Sequence, residues 1–159
     1  MSESTIPYRP NGYSTITPFL CVADGSAAID FYCTVFGASV VSRMDLPDGR
    51  VAHAELQLEQ GRLQLADALE EYGLVAPTDG PVTHSFALYV PDCDATTALA
   101  AEHGATIREQ PSTFVTGDRF ASVLDPYGHR WSIMTRVEDV SDAEAERRVA
   151  EWMSSAAGS

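Results

Sequence analysis

Polar and apolar positions follow two alternating rhythms along the chain. Short two-residue alternations run through Phe19-Leu-Cys-Val-Ala-Asp24 and again through Ala87-Leu-Tyr-Val-Pro-Asp92, the pattern of a half-buried strand. Each run ends at an Asp, and there the rhythm changes. From Gly25 to Phe36, the apolar residues Ala28, Phe31, Tyr32, Val35 and Phe36 fall on one helical face. A second helix is predicted from Asp94 to His103. Asp24 and Asp92 suit the N-cap position, where a carboxylate accepts from free N–H groups of the first turn. Gly37-Ala38 and Gly104-Ala105 close the two helices at nearly the same offset.

Strand-like segments follow each helix. They are expected near Ala38–Met44, Val51–Leu58 and Arg62–Ala66, and again near Ala105–Glu109, Arg119–Leu124 and Arg130–Arg136. Asp45-Leu-Pro-Asp-Gly49, Gln60-Gly61 and Asp125-Pro-Tyr-Gly128 supply turns. The chain thus reads as one β-α-β-β-β unit used twice, an α+β fold. The implied division is an extended tail over 1–12, modules over 13–68 and 83–137, a linker over 69–82, and a C-terminal segment over 138–159. In that segment Ser141-Asp-Ala-Glu144 is a capping-box pattern, and Ala145, Val149, Trp152 and Met153 form a stripe, predicting a short helix docked by Trp152.

Alternation also sorts the faces. Ala52, Ala54, Leu56 and Leu58 suit packing beneath a helix, with Val51, His53, Glu55 and Gln57 opposite. Thr17, Phe19 and Cys21 oppose Pro18, Leu20 and Val22; Gln64 and Ala66 oppose Leu63 and Leu65. In the second half, Ser85, Ala87 and Tyr89 oppose Phe86, Leu88 and Val90, and Ser132 and Met134 oppose Trp131 and Ile133. Two sheets set with their mixed faces together would enclose an apolar cleft with a few polar groups, the usual form of a ligand site.

Charge removes several functions. The chain has ten basic residues against 23 acidic, a net of −13, and all ten basic residues are Arg. Without lysine there is no Schiff-base or P-loop lysine. The negative surface repels nucleic acid and anionic membranes. Cys21, Cys33 and Cys93 are odd in number and widely spaced, which predicts reduced thiols rather than a disulfide framework. No apolar run is long enough to span a bilayer, and the start lacks the pattern of a secretory signal, so a cytoplasmic protein is expected.

The segments Tyr13-Ser-Thr-Ile-Thr-Pro-Phe-Leu20, Ala28-Ile-Asp-Phe-Tyr-Cys-Thr-Val-Phe-Gly-Ala38, Asp48-Gly-Arg-Val-Ala-His-Ala-Glu-Leu56 and Gly117-Asp-Arg-Phe-Ala-Ser-Val-Leu-Asp-Pro-Tyr-Gly-His-Arg-Trp131 resemble the vicinal oxygen chelate superfamily. That superfamily includes glyoxalase I, bleomycin-resistance proteins and extradiol dioxygenases, and the likeness is to its PhnB-like branch. The resemblance spans Tyr13–Arg136. It implies paired modules forming a curved mixed sheet around a cleft, helices outside, and a two-fold homodimer in which modules are exchanged between chains or not. It also implies a divalent metal held by His or Gln and Glu residues. The matching positions here carry Thr17, Gln64, Ser85 and Ser132. Three hydroxyls and an amide are poor ligands for a transition metal, so no metal or other cofactor is expected.

His53 and Glu55 are the remaining catalytic candidates, since a His beside a carboxylate can act as a general base. His84 lies one residue from a ligand position and would need a register shift to enter the cleft. His129 is expected as a solvated turn residue, and His103 as the end of a helix. Thr116-Gly-Asp-Arg119 is expected as a solvated loop. Phe19, Cys21, Tyr89 and Met134, with Thr17, Gln64, Ser85 and Ser132, are the expected ligand-contacting residues. The residues then favour a metal-independent protein that binds or sequesters a small molecule. The alternatives are a metal-dependent lyase, isomerase or dioxygenase with a shifted site around His53 and Glu55, and a metal-free isomerase using either as base.

Overall fold

The computed structural model describes residues 6–158; the part of the predicted tail before Ile6 lies outside them. They divide between Thr78 and Asp79 into two compact units. The first holds β1 (Phe19–Val22), α1 (Gly25–Phe36), β2 (Ser39–Asp45), β3 (Val51–Gln57) and β4 (Arg62–Asp67). The second holds β5 (Phe86–Tyr89), α2 (Cys93–Glu102), β6 (Thr106–Thr113), β7 (Asp118–Leu124), β8 (Arg130–Arg136) and α3 (Asp142–Ala156). Each unit has its own four-stranded mixed sheet, in the order β1-β4-β3-β2 and β5-β8-β7-β6. In both, the first strand runs parallel to the last while the other pairs are antiparallel. The expected β-α-β-β-β module is therefore present twice.

Local signals place the helices. The Asp24 side chain accepts from Ala27 N at 3.0 Å, and Asp92 from Ala95 N at 2.9 Å. Ala28, Ile29, Phe31, Tyr32 and Val35 of α1 are buried, and so are Leu56, Leu63 and Leu65 of β3 and β4. Gly25 marks where α1 meets the sheet: a Cβ there would lie 2.7 Å from Val51 Cβ and 2.9 Å from Asp67 Oδ2. Buried Asp67 fastens this junction, accepting from Gly25 N at 2.8 Å and Val51 N at 2.6 Å. In the second unit, Cys93 occupies the first position of α2 and donates from Sγ to Ile133 O at 3.3 Å.

Three expectations need correction. Val51 lies on the helix-facing side of the first sheet, fully buried, although strict alternation puts it with His53. The pairing steps from Met44–His53 to Asp45–Val51, leaving Ala52 as an extra residue, and such a bulge reverses the alternation beyond it. Strand β6 continues through Pro111 to Thr113 instead of stopping at Glu109. It is an edge strand with a bulge between Glu109 and Ser112, where a residue lacking an N–H is tolerated. The stretch expected as a linker holds, within the first unit, a short 3₁₀ turn at Glu70–Tyr72, closed by a bridge between Leu69 and Leu74.

Helix α3 starts at Ser141, whose hydroxyl accepts from Glu144 N at 3.3 Å. It buries no residue. Trp152 meets Phe114 edge-on at 5.3 Å, and Arg148 reaches both Glu138 and Val115 O. The stretch 116–119, expected as a solvated loop, instead turns at Gly117 into β7, which Asp118 and Arg119 open. Gly117 has φ +89°, a Cβ there would lie 2.7 Å from Glu138 O, and its own carbonyl accepts from Val137 N and Glu138 N.

Candidate functional site

The first sheet's register gathers the candidates of the first unit. Phe19 pairs with Gln64, Gln64 with Glu55, and Met44 with His53. Phe19, Gln64, Glu55 and His53 therefore share a face, and the Phe19 and His53 rings lie 5.8 Å apart. Thr17 precedes β1 and joins Glu55 and Gln64 in lining a cavity of about 620 Å³. Cys21 does not line it; the thiol is buried, and burial, then the Asp67 charge, pushes its pKa up.

Two residues that pattern reading passed over organise this cavity. Arg62 opens β4, donates to Glu55 Oε2 and Gln57 Oε1 at 3.2 Å each, and lies 4.6 Å from the centre of the Tyr13 ring. Tyr13 comes from the amino-terminal arm, which turns back through a Tyr13 N–H to Pro10 O bond. Its hydroxyl accepts from Gln64 Nε2 at 3.3 Å. Tyr8, Arg9 and Pro10 of the arm form another wall of the cavity. Tyr13 heads the family-like segment, but nothing local says that it closes on a residue 51 positions later.

Electrostatics restrict what Glu55 can do. A hydrogen bond from Tyr13 holds its carboxyl below the ordinary value; burial opposes this, while His53 and Arg62 add to it. His53 Nε2 lies 3.5 Å from Glu55 Oε1, long for a hydrogen bond. Glu55 is therefore a half-buried carboxylate held ionised by several donors, the opposite of a base poised near neutrality.

The second unit places its candidates differently. Ser85 and Ser132 exchange a hydrogen bond at 2.9 Å, and Arg130 donates to both, at 2.7 and 3.2 Å. Arg130 also pairs with Glu109 at 2.7 Å, and Glu109 accepts from Ser122. Tyr89 is exposed and stands opposite Met134 in the pairing. Met134 lines a separate cavity of about 390 Å³ with Phe114, Phe120 and Asp118, while Ser85, Ser132 and Tyr89 do not.

His129 also departs from expectation, and His84 lies beside it. His129 is buried, because Asp125 draws the turn inward. Asp125 Oδ1 accepts from Tyr127 N and His129 N at 2.9 Å each, and Oδ2 accepts from Trp131 Nε1 at 2.8 Å. His84 Nε2 sits 3.2 Å from His129 Nδ1, against the Phe86 ring, and so belongs to this turn.

The residues at the four family-like positions do not fit a divalent metal. Gln64 is tied to Tyr13, and a guanidinium cation lies against Ser85 and Ser132. Among the described residues, no three His, Cys, Asp or Glu side chains converge in a way that could hold a metal ion. No helix there is long and apolar enough to cross a membrane.

Comparison with known proteins agrees with this architecture. Residues 14–133 match the model of the glyoxalase/bleomycin resistance protein/dioxygenase superfamily. The uncharacterized protein Mb0911c of Mycobacterium bovis is 33% identical over 135 residues, covering 82% of this chain and 89% of that protein. The structure of TioX from Micromonospora sp. ML1 superposes with a TM-score of 0.62 at 25% identity, covering 77% of this chain and 98% of that one. A putative 3-demethylubiquinone-9 3-methyltransferase, PhnB protein, from Bacillus cereus shares the fold at 19% identity and a TM-score of 0.62, covering 77% and 99%. The chain belongs to the glyoxalase/bleomycin resistance protein/dioxygenase superfamily.

Proposed function

We propose that this member of the superfamily is a metal-independent protein that binds or sequesters a small organic molecule, with the cavity bounded by Tyr13, Thr17, Glu55, Arg62 and Gln64 as its site. One observation carries the reading. Of the four positions that resemble metal-ligand positions, Gln64, Ser85 and Ser132 hold amide and hydroxyl groups already engaged by protein partners, and in the second unit the partner is itself a cation. Binding a further divalent cation beside Arg130 would oppose like charges. The cavity volume of about 620 Å³ falls in the range of small-molecule sites. In this reading Glu55, with His53 beside it outside the lining, orients the ligand, and Gln64 and Thr17 read its polar groups. The test is elemental analysis of protein purified without chelators, joined to a ligand thermal-shift screen. Less than about one tenth equivalent of zinc, nickel, iron or manganese is expected. Stoichiometric metal that survives dialysis and is lost in His53→Ala would replace this reading with the enzyme.

We also propose a two-fold homodimer. Every residue of edge strand β2 is exposed, including Val40, Val41 and Met44, and such an edge invites covering. Light scattering at micromolar concentration should give the mass of two chains, and a clean monomer would overturn it.

A further inference from the structure

We infer that the arm-bounded cavity of the first unit takes an anionic aromatic molecule, a ring bearing a carboxylate or comparable oxyanion, with Arg9 as its counter-charge. This rests on the reading of that cavity as the ligand site and adds the class of molecule it selects.

The charge distribution makes the case. In a chain of net −13, carboxylates far outnumber arginines, so an arginine without a carboxylate partner is out of place. Eight of the ten arginines have one: Arg43, Arg50, Arg62, Arg119, Arg130, Arg136, Arg147 and Arg148; the other two are Arg108, on edge strand β6 beside Glu109, and Arg9. Among the described residues, Arg9 donates only to a main-chain oxygen, that of Tyr13. That bond ties Arg9 to the residue whose ring stacks on Arg62, and it leaves the other guanidinium donors unassigned beside the cavity. The cavity's single acidic lining residue, Glu55, is already engaged by Tyr13, His53 and Arg62. The lining therefore carries one uncompensated positive charge, where the chain as a whole repels anions. A guanidinium fork matches a carboxylate in shape as well as charge.

The aromatic part of the assignment comes from the same lining. Tyr8 and Tyr13 flank Arg9, and Tyr8 is almost wholly exposed, at 95%. A planar ligand would gain stacking area there at low entropic cost. Gln64 and Thr17 lie on the sheet side of the cavity and suit polar substituents.

Calorimetric titration of the full chain with naphthoate, naphthamide and naphthylmethylammonium separates the terms. Naphthoate should bind more tightly than the neutral amide, and the ammonium most weakly. Arg9→Gln should weaken naphthoate by about fivefold, the scale of one exposed ion pair, and leave the amide unchanged. Arg9→Glu should rank the ammonium above naphthoate. Both changes lie on the exposed arm, and circular dichroism checks that the fold persists. If the three probes bind equally well to the parent chain, and their binding is lost in Tyr13→Ala, the anion assignment fails while the cavity keeps its role. If no probe binds in a Tyr13-dependent way, the site reading falls and this inference with it.

Discussion

Both modules begin their last strand with an arginine, Arg62 and Arg130, set two residues ahead of Gln64 and Ser132. The two are used differently. Arg62 stacks on Tyr13 and pairs with Glu55, holding the amino-terminal arm against a cavity. Arg130 binds Ser85, Ser132 and Glu109, so the corresponding positions are taken up by contacts inside the module. One repeated scaffold thus carries a polar-aromatic cavity in one copy and an ionic cluster in the other. The difference comes from the partners that reach each arginine, since the arginine itself recurs.

The largest expected difference between the modules lies in their turns. Asp125 is buried and satisfies three donors of the β7–β8 turn, whereas the β3–β4 turn is held by the Gln57 amide donating to Leu58 O and Gly61 O. Asp125→Ala should destabilise the second module by about 3 kcal/mol or more, since it strands buried N–H groups. Gln57→Ala should cost about 1 kcal/mol. Both tryptophans, Trp131 and Trp152, are in the second unit. Urea unfolding followed by Trp fluorescence should therefore report the Asp125 loss directly, with circular dichroism following the Gln57 variant, and equal losses for the two variants would break the comparison.

A smaller effect separates the helix–sheet junctions. Gly25→Val would force a side chain onto Val51 and Asp67, and overpacking of this kind costs about 1–3 kcal/mol. Cys93→Ala in the second module removes one weak Sγ–H bond and should cost less than about 1 kcal/mol. Thermal unfolding of the two variants checks the order. Trp152→Ala should cost about 1 kcal/mol or less, because α3 buries no residue and this ring contact is edge-to-face. Its signature is fraying of α3 in hydrogen exchange with the sheets still protected.

The smallest effect is one of pH. Glu55 is more acidic in the fold than in the open chain, chiefly through Tyr13. Its contribution to stability is thus fully present above the unfolded value, about 4.3, and is lost as pH falls through the lower folded value. The Glu55 carboxyl signal in NMR should titrate below that of an ordinary glutamate, and Tyr13→Phe should raise its midpoint. A Glu55 that titrates near neutrality would revive the general-base role.

The amino-acid sequence by itself determined the repeated unit, and the reason is local. An Asp cap, a helical stripe and a closing Gly act within a dozen residues, so α1 begins at Gly25 and ends at Phe36 where those signals stand. Alternation likewise separated Leu63 and Leu65 from Gln64, because side-chain direction in a strand follows from the backbone. Other features were decided only by tertiary structure. A bulge at Ala52 put Val51 beneath α1, Asp125 drew His129 out of solvent, and the arm brought Tyr13 to Gln64 and Glu55. Each depends on pairing register or on groups far apart in the chain. No periodicity records which long side chain meets which, so Arg62 and Arg130 look alike as residues and differ only in what the folded modules bring to them.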